Sequence, residues 1–293
     1  MSHRNRYTTA QQIQALDPQQ DAIAICHLLA GYEFPWDITR ALEIALLRTF
    51  CVPSITKLLD QTGEFHHHTQ KRYDDTSLIV SELFKWGYHH PRGQAFLQRM
   101  NAIHQRYAIA NADYLYVLST FIYEPVRWCD RFGWRALSSG EKQAMYFFWR
   151  EVGKRMGIQS IPPSYEAFED YNRTYEQTHF AFHAANQRVA NATRQMLLNW
   201  FPKVIHRPVD RVIPALLDPS LLQAVGWQPA PASLTALLAK SLQMRSRLLR
   251  QLPPRTLPNF FADQAIRSYP EGYDVQRIGP AALVEQLNAQ EPL

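Results

Sequence analysis

Apolar positions recur along this chain at helical rather than strand spacing. Ile38, Ala41, Leu42, Ile44, Ala45 and Leu46 repeat in a stretch free of Gly and Pro, which predicts a helix. Thr76, Ile79, Val80 and Leu83 share a face of a second helix over about 74–86, with Gly87 as its stop signal. A third, from about 93 to 107, puts Phe96, Met100, Ile103 and His104 together. A fourth is expected to start near Asn111 or Asp113, either of which suits an N-cap, and to end before Pro125. Ser138 and Glu141 make a capping-box pattern ahead of a helix over 142–156, and Ser164 with Glu166 opens another. Positions 170–198 then read as one long helix without Pro or Gly. After Trp200, prolines at 202, 208, 214, 219, 229 and 231 punctuate the chain. The stretch 233–252 reads as the last clear helix, and the Pro-rich tail from Pro253 is expected to wrap the surface. Strand-like alternation is scarce and no linker separates the helices. The pattern predicts an all-α fold in a single domain over residues 1–293.

Composition narrows the class of function. With 46% hydrophobic and 19% charged residues, the chain reads as a globular protein able to bury a sizeable core. The 12% aromatic content suits a large core first and a flat apolar pocket second. A net charge of +5 is modest. Arg245, Arg247, Arg250 and Arg255 lack a neighbouring nucleic-acid motif and read as a solvated or membrane-facing helix surface, so no nucleic-acid partner is expected. Three scattered cysteines make no disulfide framework and suit a reducing compartment. No apolar signal core follows the N-terminus, and the best apolar run, 112–123, is about half the roughly 20 residues a bilayer span needs. A cytoplasmic protein is expected, with peripheral membrane contact left open.

No P-loop, GxGxxG or GxSxG motif occurs. Among the eleven histidines, the run His66–His68 reads as a solvated loop before it reads as a metal site. His89 and His90 sit at a helix end, where a cationic imidazole is favourable. Glu176, His179 and His183 fall near one face of the long helical stretch and suit either a buried hydrogen-bonded group or a metal. His104 stands on an otherwise apolar face. Spacing alone leaves it open between a satisfied core residue and a ligand, and a haem asks for only one such nitrogen.

A series of blocks changes that balance. They are Lys71-Arg72-Tyr73-Asp74-Asp75-Thr76, Arg92-Gly93, Arg99-Met100-Asn101-Ala102-Ile103-His104 and Asn111-Ala112-Asp113-Tyr114-Leu115-Tyr116. Glu124-Pro125, Phe132-Gly133-Trp134-Arg135, Phe148-Trp149-Arg150-Glu151-Val152-Gly153, Tyr175-Glu176-x-x-His179-Phe180 and Arg267-Ser268-Tyr269-Pro270 follow in order. Over about residues 65–280 the chain resembles the catalytic domain shared by rubber oxygenases (latex clearing proteins) and the fungal endoplasmic-reticulum-bound oxygenases of mycophenolic acid biosynthesis, and it is closer to the fungal branch.

The resemblance implies a helical domain enclosing one non-covalent b-type haem, with His104 as the axial ligand of the iron. It implies a haem pocket holding Arg72 and Thr76, and extends the cofactor-binding set to Arg99 and His179. In rubber oxygenases a lysine that can reach the distal side of the iron directly precedes the threonine. Here Asp75 stands there, and with Arg72 and Thr76 it completes the catalytic set. Glu64 is a weak counterpart of the base proposed in that branch. The implied activity is a dioxygenase-type reaction of O2 with an unsaturated isoprenoid or lipid-like substrate, with C=C cleavage. A haem protein of peroxidase-like or sensor role, and a non-catalytic helical lipid-binding module, remain as alternatives.

Overall fold

In the computed structural model, which describes residues 5–290, the order of helices is α1 (Thr8–Gln14), α2 (Ala22–Leu28), α3 (Pro35–Thr49), α4 (Pro53–Thr62), α5 (Glu64–His67), α6 (Thr69–Trp86), α7 (Pro91–His104) and α8 (Asn111–Phe132). They continue as α9 (Ser139–Arg155), α10 (Tyr165–His179), α11 (Ala184–Leu198), α12 (His206–Ala215), α13 (Pro219–Val225), α14 (Ala232–Gln251) and α15 (Ala281–Gln290). A single π turn, Leu29–Glu33, links α2 to α3. The described residues contain no strand, only one isolated bridge between Ile266 and Tyr269, so the all-α expectation holds. No described helix is long and apolar enough to cross a membrane.

The long central helix α8 packs along α3, with α9 and α10 also against it. The main core between them takes Leu118, Ile122, Val126, Phe148 and Trp149. A smaller core of Phe50, Phe65, Val189, Leu221 and Val225 joins α3, α5, α11 and α13. Local signals placed several ends well. Ser138 and Glu141 form both bonds of the capping box, and Ser164 caps α10 through Ala167 N–H. Gly87 stops α6 with φ of 75°, and its carbonyl lies 2.0 Å from where a Cβ of Gly93 would stand, so α7 can turn tightly back along α6.

Four expectations are corrected. Pro125 does not end α8, which continues to Phe132. A mid-helix proline costs about 3 kcal/mol, yet both flanks are buried, and fully burying a large apolar side chain returns roughly 1.5–3 kcal/mol at each of Ile122, Val126 and Phe132. Neither Asn111 nor Asp113 caps α8. The N-cap is Ala110, Asn111 instead exchanges hydrogen bonds with Gln159, and Asp113 accepts from Ser54 and Tyr175. The stretch 170–198 is two helices. Ala181 N–H donates to the carbonyl of Cys51, Asn186 donates to the carbonyl of Ala181, and the His183 ring caps α11 by accepting from Ala185 N–H. The distant Cys51 carbonyl and two local side chains there take over backbone groups that a continuing helix would need. The tail is no surface wrap either: Phe260, Ile266, Tyr269 and Ile278 are buried against the body, and α15 follows the stretch read as the last helix.

Candidate active site

The apolar faces of α3, α6, α7 and α8 converge on one cavity. Leu42 and Leu46 face it from α3, Thr76, Ile79, Val80 and Leu83 from α6, Met100, Ile103 and His104 from α7, and Val117, Leu118 and Phe121 from α8. The face read on α6 and most of that read on α7 are thus cavity walls, whereas Phe96 turns to Tyr273 instead. Trp149 and Phe84 add flat aromatic surface. The cavity volume is about 270 Å3, near the lower end of small-molecule sites, which run to roughly 300–1,000 Å3.

His104 is the last residue of α7 and lines this cavity as its single histidine among the described residues. Its Nδ1 is sealed from solvent and has no hydrogen-bond partner, and the ring lies edge-on to Tyr114 at 5.6 Å. Burial, helped by the nearby Arg72 guanidinium, pushes its pKa down from 6.5 to about 4. A helix C-terminus favours the cation by roughly 0.3–1 kcal/mol, but a shift of this size corresponds to about 3 kcal/mol the other way. Desolvation wins, and the imidazole is neutral at physiological pH.

Arg72 lines the same cavity from α6, its guanidinium 5.5 Å from the centre of the Phe65 ring. It makes no ion pair among the described residues, although most other arginines of the interior do. The Thr76 hydroxyl, one turn on, donates to the Arg72 carbonyl at 3.0 Å. A neutral imidazole with an idle nitrogen, an uncompensated guanidinium and aromatic walls match what a b-type haem asks of a protein: one axial nitrogen, a partner for a carboxylate and dry faces. His104 and Arg72 are the residues that could hold it.

Comparison with known proteins converges on the same segment. Residues 38–246 match the family model described as ER-bound oxygenase mpaB/B'/Rubber oxygenase, catalytic domain. The chain belongs to that family. It is 28% identical over 268 residues to "ER-bound oxygenase mpaB'" of Penicillium brevicompactum, covering 85% of this chain and 63% of that protein. It is 29% identical to "ER-bound oxygenase mpaB" of Penicillium roqueforti, covering 75% of this chain and 80% of the relative. A further mpaB, of Penicillium brevicompactum, is also 29% identical, over 66% of this chain and 54% of its own length. The chain therefore spans less than two thirds of the length of two of these three relatives. The family match starts ahead of the blocks at 65–280 and takes in most of α3, while the tail blocks lie beyond it.

Three of the expected site residues lie elsewhere. Asp75 is buried where α6 meets the tail, and it accepts from Lys71 Nζ (2.8 Å), Tyr269 Oη (2.5 Å) and Gly279 N–H (3.0 Å). Arg99 donates to the carbonyls of Ile278 (2.8 Å) and Gln276 (2.9 Å) and to Asn288 (3.1 Å). Both residues anchor the tail, and neither lines the cavity. His179 is exposed at the end of α10, stacked on Tyr175 at 3.9 Å, away from His183, which lies beyond the helix break. Glu176 sits within a buried ionic cluster instead. Arg48 reaches Glu176 (3.0 Å), Glu124 (2.9 Å) and Asp218, and Tyr116 donates to Glu176 at 3.2 Å.

Glu64 pairs with His68 (3.4 Å) and His66 with Asp60 (2.8 Å), and the described residues hold no cluster that suits a metal ion. His90 is the N-cap of α7, where its Nδ1 accepts from Arg92 N–H.

Sequence reasoning passed over Glu43. It lines the cavity from α3, and its Oε1 accepts from both Tyr73 Oη (2.7 Å) and Arg40 (2.6 Å). Burial raises its pKa, and Arg40 and Tyr73 oppose that shift. The signal was available. Thr39, Leu42, Glu43 and Leu46 follow helical spacing, so one carboxylate interrupts an otherwise mostly apolar face.

Proposed function

We propose that this chain is a haem b-dependent oxygenase that uses O2 to cleave a carbon–carbon double bond of an unsaturated isoprenoid or lipid-like substrate. The observation that carries this reading is the neutral imidazole of His104, its Nδ1 without a hydrogen-bond partner, lining an apolar cavity beside Arg72, which makes no ion pair among the described residues. Membership of an oxygenase family supports the reaction class. A bound haem supplies the redox-active iron that O2 chemistry requires.

The chain's own residues do the rest. His104 presents a free lone pair at any pH above about 4, because burial keeps its ring neutral. Arg72 supplies a fixed positive charge for a carboxylate, such as a propionate, in a setting where a charge-assisted bond is strong. The walls from α3, α6 and α8 exclude water and accept an apolar chain. Glu43, held by Arg40 and Tyr73, is the polar landmark against which a substrate can be oriented. The reaction balances without an outside reductant: the double bond breaks and each of its two carbons takes one oxygen atom of O2 as a carbonyl. No lysine and no second histidine lines the cavity among the described residues, so His104 is the imidazole there that would hold the iron of a bound haem.

The test is a visible spectrum with metal analysis of the purified chain. A Soret band with iron in haem stoichiometry is expected, and His104→Ala should retain no haem. A full haem complement in that variant would remove His104 as the ligand. Oxygen uptake with a polyprenyl or unsaturated fatty substrate, yielding carbonyl products, separates this reading from a sensor. A chain that takes up no haem would be a lipid-binding module.

A further inference from the structure

The face of α14 turned away from the body carries an apolar stripe. Leu237, Met244 and Leu248 follow helical spacing along it, Leu252 stands at its C-cap, and all four are 53–62% exposed. At 1.5 Å per residue the stripe runs about 22 Å. Its other side is committed to the protein: Arg245 pairs with Asp37 at 2.9 Å, Ser246 donates to the carbonyl of Gly133, and α12 packs alongside. Leu257, in the turn that follows, is 77% exposed.

The segment that builds this face is mostly basic. Residues 200–260 hold eight basic and two acidic side chains, a net +6 against +5 for the whole chain. Both acids are already paired, Asp210 with Arg194 and Asp218 with Arg48. Lys240 and Arg247 stand exposed along one flank of the stripe, and Arg255 is exposed beyond its end. Lys203, Arg207 and Arg211 are exposed on α12 and its approach. An apolar helical stripe with a basic flank is the pattern of a helix that lies in the plane of a membrane surface. A second copy of this chain is disfavoured as the occupant, because a two-fold pairing would set two strongly positive faces against each other.

We propose that this face seats the chain on an anionic lipid bilayer, with α14 in the interfacial plane. The seat also explains where the following segment runs. Asn259, two residues after Leu257, donates to the carbonyl of Gly31 at 2.8 Å, and Asn259, Phe260 and Phe261 line the cavity. The membrane-facing surface thus passes within a few residues into the cavity wall. The seat itself does not depend on what the cavity holds.

Vesicle co-sedimentation of the full chain tests it. Binding is expected to phosphatidylcholine vesicles carrying phosphatidylserine, weaker binding to phosphatidylcholine alone, and a decline with added salt. Met244→Gln with Leu248→Gln should weaken binding about tenfold or more, and Lys240→Gln or Arg247→Gln about fivefold each. All four positions are on the outer face of a helix, so the variants should fold, and an unchanged circular dichroism melt checks this. Failure of the parent chain to bind either vesicle, or full binding by the variants, overturns the proposal. So does a lipid-free dimer in sedimentation velocity that the Met244→Gln, Leu248→Gln variant abolishes, which would assign the face to a second copy.

Discussion

Helices α6 and α7 each carry polar residues on two sides, and the two sides are treated differently. Toward the tail nearly every polar group is matched. Asp74 accepts from the backbone and hydroxyl of Ser268, Asp75 from three donors, and Glu82 from Arg92 (2.8 and 2.7 Å) and Tyr273. Toward the cavity, His104 Nδ1 has no partner and Arg72 no ion pair among the described residues. A buried polar atom left unsatisfied costs roughly 1–3 kcal/mol. The same two helices therefore spend their polar residues on structure on one side and leave them available to a ligand on the other.

Asp75→Ala attacks the structural side, and its effect should be the largest. Removing one member of a buried charged group costs about 3–5 kcal/mol, read as a lowered urea midpoint of the haem-free protein. Haem binding by the folded fraction should not change. An altered visible spectrum with unchanged stability would move Asp75 to the cavity side and erase the contrast.

Acid should weaken the cavity side specifically. Folded His104 titrates at about 4 and an unperturbed histidine at 6.5, so the unfolded chain takes up that proton first. Stability of the haem-free protein then falls as pH drops through the interval between these values, by up to about 3 kcal/mol, and this contribution levels off below the lower one. His104→Phe should flatten the slope in that window. An identical pH profile in the variant would mean that the imidazole is not held neutral by its surroundings.

Arg72→Met sharpens the comparison from the other direction. Loss of a hydrogen bond to a charged group is worth roughly 1.5–3 kcal/mol, so haem affinity in a titration should drop by about ten- to a hundredfold. The urea midpoint should hold or rise, because no native ion pair is broken. A destabilised Arg72→Met protein with unchanged haem affinity would place Arg72 with the structural set.

Much of the scaffold was legible. Periodicity placed α3, α6, α7 and α9, because an amphipathic helix writes its buried face into local spacing, and Ser138 with Glu141 marked the start of α9 and Ser164 that of α10 through bonds that span three residues. Three errors have tertiary causes. The break at Phe180–His183, where Ala181 N–H turns to the carbonyl of Cys51, and the unused caps at Asn111 and Asp113 are decided by partners far away in the chain, and the continuation of α8 through Pro125 by the burial of both its flanks. The cavity was partly legible. His104, Arg72 and Thr76 came from the ordered family blocks, while Glu43 could have been read from the interruption of its own apolar face.

By itself the sequence determined the helical class, the positions of the longer helices, the family and the identity of the one imidazole at the cavity. Only the tertiary structure decided which polar neighbours of that imidazole share its chamber. Arg72, Asp75 and Thr76 lie within a turn of one helix, and at about 100° per residue Asp75 is as near Arg72 in angle as many residues that share a face. What separates them is the returning tail, whose Tyr269 and Gly279 lie some two hundred positions further along and claim Asp75 for themselves. Local spacing carries no information about a partner that distant, so the division between anchor and ligand site exists only once the chain has closed on itself.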